Sequence, residues 1–214
     1  YTDYIFDDPS RKYEPEDAVI FDGALDENGK ATVESIIETA SGSQGLLNAN
    51  FRTRVFEDSG TFSTDRFTLP YSPYERYVGL RLPKGDAARG MLLTDTQHVA
   101  ALAMLDKDGN PVPEGQVEVT LYKLDWRWWW EEGANYVEKL SNEPIAKGVA
   151  EMKNGVGAWP FEVKFPSWGR YFVHACDIAG DHCAGKIVYI DWPGWAGRGQ
   201  KDMPGGGASI LTFS

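Results

Sequence analysis

Residues 117–130 read VEVTLYKLDWRWWW, a strand pattern that runs directly into the densest aromatic stretch of the chain. Val117, Val119 and Leu121 alternate with Glu118 and Thr120, the period-two signature of a strand with one face in a core and the other in water. From Tyr122 the bulky residues change parity: Tyr122, Leu124, Trp126, Trp128 and Trp130 fall on the face opposite to Lys123, Asp125 and Arg127. A continuous strand changes its buried face only through a bulge or by leaving its sheet to meet a second surface. The expectation is a strand that serves two cores. Trp126, Trp128, Trp129 and Trp130 bring about 150–250 Å² of surface each, too much to leave bare in water. Packing against a neighbouring segment or domain is the first expectation, with Trp192 and Trp195 adding to it; a stacking platform for sugar rings is the alternative. Nucleic-acid stacking needs a basic groove around the aromatics, and the chain carries 21 Lys and Arg against 32 Asp and Glu.

Outward from this stretch the pattern stays β. Helical periodicity is nearly absent and turn signals recur roughly every 8 to 12 residues, as in sandwiches and barrels. Residues 18–25 and 30–37 read as strands joined by an Asp-Glu-Asn-Gly turn, and 46–57 with 61–69 as a second hairpin. Pro70, Pro73 and Pro83 mark a linker around a short strand at 77–82, which places a domain boundary near residue 83. Beyond it, strands are expected at 90–94, 98–105, 117 onward, 145–153, 158–165, 169–177 and 184–192. Residues 131–143 read as a polar insertion. The tail from 192 is rich in Gly and Pro, and 208–213 reads as one more strand. The fold class is therefore all-β: tandem immunoglobulin-like sandwiches, the first (1–83) incomplete, the second (84–205) complete, and 206–214 opening a following module. The chain is expected to continue past Ser214 and to lack the opening strands of its first domain.

A chain of 214 residues suits two domains, each with its own core. The net charge of -11 argues against nucleic acid and anionic membrane as partners. No apolar run approaches the ~18 residues that span a bilayer, and the first residues lack a signal-peptide pattern, which leaves room for a mature or excised piece of an exported protein.

Cys176 and Cys183 lie in two β-rich runs around an Ala-Gly-Asp turn, so they should face each other across a hairpin. A disulfide is the first expectation and implies an oxidising compartment. A metal site with His174 and His182, or two free thiols, are the alternatives; the spacing matches no zinc pattern, and 182 and 183 point to opposite faces. No cofactor is implied. The Asp106-x-Asp108-x-Asn110 series resembles half a calcium loop, but Pro111 stands where glycine is needed, and a turn is expected instead.

Catalytic residues are not nominated. No nucleophile elbow, zinc-protease helix, phosphate loop or dinucleotide glycine pattern occurs. Adjacent acids such as Asp7-Asp8 and Glu131-Glu132 point apart in extended chain and read as solvated surface. A glycosidase stays open only because its carboxylates can come from distant strands.

The strings FDGALDENGKATVE (21–34), LLNANFRTRVFEDSGTFSTDRFTLPYSPYERYVGLRLP (46–83), VTLYKLDWRWWWE (119–131), WGRYFVHACDIAGDHCAGKIVYIDWPGWAGRG (168–199) and GGASILTFS (206–214) resemble, in that order, bacterial α2-macroglobulins. The resemblance implies macroglobulin-like sandwiches from a large exported protein of the periplasm or envelope that traps proteases. Partners would be neighbouring domains of the parent chain and, through the whole protein, proteases; no small-molecule substrate is expected. Neither cysteine sits in the C-x-E-Q thioester pattern, so covalent capture would reside elsewhere, and 131–143 is the one internal stretch comparable to a bait. The implied role is a non-catalytic scaffold, with an adhesin or carbohydrate-binding sandwich as the alternative.

Overall fold

The computed structural model describes residues 1–11, 15, 17–34, 42–87, 89–124 and 144–193. Among them every regular element is a strand: β1 (Leu47–Phe56), β2 (Phe62–Tyr71), β3 (Arg76–Arg81), β4 (Leu92–Leu93), β5 (His98–Asp106), β6 (Glu114–Leu124), β7 (Ala146–Lys153), β8 (Val156–Phe161), β9 (Gly169–Asp177) and β10 (Cys183–Asp191). Eight of them follow one another in the order β3-β5-β8-β7-β6-β9-β10-β4. Neighbours β7 and β8 share a single paired position, Lys153 with Val156, around the Asn154-Gly155 turn. The sheet folds over at that turn, so β3, β5 and β8 face β7, β6, β9, β10 and β4 as the two layers of an immunoglobulin-like sandwich.

One parity from each strand fills the space between the layers. Val78 and Leu80 of β3, Ala100, Leu102 and Met104 of β5, and Trp159 and Phe161 of β8 meet Val117, Val119 and Leu121 of β6, Ala150 and Met152 of β7, and Tyr171, Val173 and Ala175 of β9. The alternation of β6 is thus used as the sequence indicates. Its register against β9 runs unbroken from Val117 opposite Asp177 to Leu124 opposite Arg170. The parity change at Tyr122 therefore involves no bulge among the described residues; Tyr122 lies on the outer face of the same sheet, opposite Phe172.

Two expectations are corrected. The strand expected at 77–82 belongs to the main sandwich, because β3 pairs along its length with β5. A cut at residue 83 would strip that layer of its edge, so it does not separate two packing units. Residues 18–25 and 30–34 are not strands: the turn forms, with the Asp26 N–H donating to the Lys30 carbonyl and the Asp26 carboxylate accepting from the Asn28 and Lys30 N–H groups, but no ladder continues from it. Val19, Ile20, Phe21 and Leu25 stand exposed there, and nothing apolar in the turn itself can hold two strands together. The 46–57 and 61–69 hairpin does form, as a two-stranded sheet of β1 and β2 alone. The insertion at 131–143 and the strand at 208–213 lie outside the described residues.

Candidate functional site

Closing a sandwich leaves unpaired edges, and here β3 and β10 are capped by a segment with no periodicity of its own. Ile5 exchanges both backbone hydrogen bonds with Leu80 of β3 (2.9 and 2.8 Å). Two residues on, the Asp7 carbonyl accepts from the Gly185 N–H of β10 (3.0 Å), and the Asp8 N–H donates to the Gln44 carbonyl (2.9 Å). Residues 5–11 thus form a strap across two strand edges that would otherwise invite pairing with another chain. Glycine at 185 is what permits this approach: a Cβ there would stand 2.5 Å from the Phe172 ring and 3.2 Å from Pro9 Cδ.

Beneath the strap lies a polar cluster on the outer face of β9 and β10. Cys176 and Cys183, paired in register, are joined by a disulfide with Cα atoms 4.1 Å apart. His174, two residues before Cys176, shares its face; its Nδ1 and Nε2 are both 3.7 Å from Cys176 Sγ. Nε2 is 3.0 Å from Asp8 Oδ2. Asp8 is only 1% exposed and also accepts from the Ser10 N–H (2.9 Å), the Ser10 hydroxyl and Arg11 Nε (3.2 Å). Burial raises the Asp8 pKa, but His174 and Ser10 together outweigh it and hold the carboxyl below its ordinary value. Arg11 completes the cluster, donating to the Tyr74 hydroxyl (2.9 Å) and to Cys183 Sγ (3.5 Å). The surface reading of Asp7 and Asp8 is corrected for Asp8 alone, since Asp7 does remain exposed.

His182 does not join this cluster. It is 1% exposed, its ring packs against Tyr74 and Tyr77 with centroids 5.0 and 4.7 Å away, and Nδ1 accepts from the Val78 N–H at 2.9 Å. The ring acts as a second cap on the β3 edge. Nearby, Arg76 reaches across the layers to Asp177, with Nη2 2.7 Å from Oδ2.

A second feature is the β1–β2 ribbon. Its register sets Leu47, Ala49, Phe51, Thr53 and Val55 on one face with Tyr71, Leu69, Phe67, Asp65 and Ser63, and Asn48, Asn50, Arg52, Arg54 and Phe56 on the other with Pro70, Thr68, Arg66, Thr64 and Phe62. Phe51 and Phe67 stack at 4.9 Å, yet Phe67 and Leu69 remain 47% and 51% exposed. The sandwich-proximal half of this face is the more apolar, with Leu47, Ala49, Phe51 and Tyr71 half-buried and Phe67 and Leu69 about half exposed.

Of the aromatic residues expected to pack, Trp192 is edge-on to Trp168 (5.5 Å) and Phe165 (6.1 Å). Trp126, Trp128, Trp129, Trp130 and Trp195 lie outside the described residues. Among the described residues only His174, Cys176 and Cys183 gather as a possible metal set. The strap was missed from sequence; the Asp8-Pro9-Ser10 turn, in which a carboxylate caps the residue two on, was its one local signal.

The bacterial macroglobulin domain 6 family matches residues 79–192. Among solved structures, the chain is similar to Salmonella alpha-2-macroglobulin reacted with methylamine (15% identity, TM-score 0.46), over 79% of this chain and 12% of that one. It is also similar to the native conformation of E. coli alpha-2-macroglobulin (16% identity, TM-score 0.43), over 80% of this chain and 11% of that one. No curated protein matches.

Proposed function

Because the chain belongs to the bacterial macroglobulin domain 6 family, we propose that it is a non-catalytic scaffold module of an α2-macroglobulin-like protease trap. A family numbered sixth among macroglobulin domains belongs to a series, and a module in a series must present surface to its neighbours. The observation that carries the reading is the exposure of Phe67 and Leu69 beside Phe51 on one face of the β1–β2 ribbon. A lone two-stranded hairpin is marginally stable in water, so Phe51, Phe67 and Leu69 need a second surface to hold the ribbon. Its occupant is a neighbouring macroglobulin-like domain of the parent chain. The same reading places the chain in an exported protein of the periplasm or envelope, supported by the disulfide. The tryptophan run 126–130 would stiffen a further inter-domain contact.

The test uses the parent protein carrying Phe51→Ser, Phe67→Ser and Leu69→Ser together. Scattering should report a wider, looser particle and protease retention should fall, while circular dichroism of the main sandwich is unchanged. Wild-type dimensions with full retention would refute the ribbon's role. A carbohydrate-binding module is the second reading, favoured by Trp168 at 45% exposure beside Trp192; glycan binding abolished by Trp168→Ala would support it.

A further inference from the structure

The cluster beneath the strap has a composition that a disulfide alone does not require. A cross-strand disulfide needs two facing cysteines. Here an imidazole stands on the same face with its ring nitrogens 3.7 Å from one sulfur, and that imidazole is held by a carboxylate that is itself 1% exposed. The ligand atoms of His174, Cys176 and Cys183 all fall within 4.8 Å of one another. We propose that, once the disulfide is opened, His174, Cys176 and Cys183 form a binding site for a thiolate-seeking divalent cation of the zinc class.

A dithiol reductant gives two electrons and two protons to the disulfide, leaving two cysteine thiols and an oxidised reductant. The cation then displaces both thiol protons and binds two thiolates and one neutral imidazole, with water in the fourth position. Nε2 of His174 is engaged with Asp8, which leaves Nδ1 as the ligand atom; a carboxylate on the far nitrogen is the outer-shell arrangement that orients metal-bound histidines and raises their basicity. Tetrahedral zinc sets its sulfurs about 3.7 Å apart, which facing cysteines on paired strands reach by rotation about their Cα–Cβ bonds. Charge closes as well, because two thiolates neutralise the cation while Arg11 neutralises Asp8 at 3.2 Å. Access is open on one side, since the His174 side chain is 19% exposed.

Cobalt, added to the 214-residue chain after dithiol reduction and anaerobic gel filtration, is the probe. The reduced protein should develop thiolate-to-cobalt charge-transfer bands in the near ultraviolet with tetrahedral bands in the visible, displaced by zinc, whereas the oxidised protein develops none. His174→Gln should weaken cobalt binding at least 10-fold and Asp8→Asn about 10-fold, both retaining the near-ultraviolet dichroism of the oxidised wild type. If reduction itself abolishes that dichroism, cobalt should restore it. Absence of charge-transfer bands, an unchanged affinity in His174→Gln, or cobalt failing to restore a reduced chain that has lost its fold would each overturn the proposal and leave a purely structural disulfide.

Discussion

Acidification between pH 7 and pH 4 should destabilise the sandwich through His182. Its pKa is pushed down to about 4 from 6.5, chiefly by burial, with the positive charge of Arg11 acting in the same direction; the Phe6 backbone and the Asp8 carboxylate oppose the shift without reversing it. The hydrogen bond supplies the structural reason: Nδ1 accepts from the Val78 N–H, and an imidazolium has no lone pair to accept with. Since the folded pKa lies below the unfolded one, the unfolded chain takes up the proton first. Stability is fully present above pH 6.5, is lost as pH falls, and levels off below about 4. With these two values, the loss is about 1 kcal/mol at pH 6, about 2 at pH 5 and about 3 at pH 4. Asp8, whose pKa is lowered, loses its own contribution mainly as pH falls through about 4 and below, and that loss is common to wild type and variant. The assay is urea denaturation at fixed ionic strength, comparing wild type with His182→Phe. The variant leaves the Val78 N–H without an acceptor, costing about 1–3 kcal/mol at neutral pH, but it has no proton to take up. The gap between the two proteins should therefore close on acidification. A gap that stays constant from pH 7.5 to pH 4 would refute the linkage to His182.

Four further outcomes follow from the packing. Replacing Cys176 and Cys183 by Ser opens a loop with a sequence separation of 7, and loop entropy sets the loss at about 2.5 kcal/mol, readable as a lowered denaturation midpoint. Arg76→Ala strips Asp177, whose side chain is 0% exposed, of its ion-pair partner, and should destabilise by about 3 kcal/mol; Asp177→Asn in the Arg76→Ala background should recover part of it. Gly155→Ala should destabilise by about 2 kcal/mol or more, because φ is +73° and the added Cβ would stand 2.6 Å from Pro111 Cβ at the turn where the sheet folds over; thermal denaturation reads it. Trp126, Trp128 and Trp130 changed together to Ala should loosen inter-domain geometry of the parent in scattering while leaving the isolated chain's β-sheet dichroism intact.

Much of the fold was legible because strand patterns report which face is buried. Val117, Val119 and Leu121 enter the core as their alternation says, and the Cys176–Cys183 pairing follows from two runs flanking a short turn. Partnership is a different quantity. Nothing in the alternation of β3 says whether it pairs with the ribbon before it or with β5 after it, and the prolines around it suggested a linker. Only Pro73 lies in the bend that carries the chain from β2 into β3; Pro70 falls within β2, on the outer edge of the ribbon, and Pro83 follows β3. Residues 18–25 show the converse: Val19, Phe21 and Leu25 alternate like a strand, but alternation stabilises a strand only where another strand supplies the ladder. The strap was hidden for a third reason. Its hold comes from four backbone bonds at three places and one carboxylate, and irregular segments held in this way leave no period to read.

That hidden strap bears on where the molecule can meet others. Ile5 and His182 occupy the free edge of β3, while Asp7 and β4 occupy that of β10, so the two ends of the main sheet present few unpaired donors to a passing strand. The ribbon has the opposite character: neither of its outer edges pairs with another strand among the described residues, and Phe67 and Leu69 are about half exposed. Negative design of this kind confines association to one region. Under the proposed reading, a module whose sandwich edges are closed among the described residues would meet its neighbour through that ribbon or through segments flanking it. Opening the strap would therefore change partner choice rather than simply weaken the fold. Asp8→Ala, which removes the carboxylate joining Ser10, Arg11 and His174, should expose the β3 and β10 edges together. Concentration-dependent self-association in sedimentation at neutral pH, absent in wild type, is the expected result; a variant that stays monomeric with faster amide exchange at Leu80 and Gly185 would show that edge closure is not what keeps the sandwich apart from other strands.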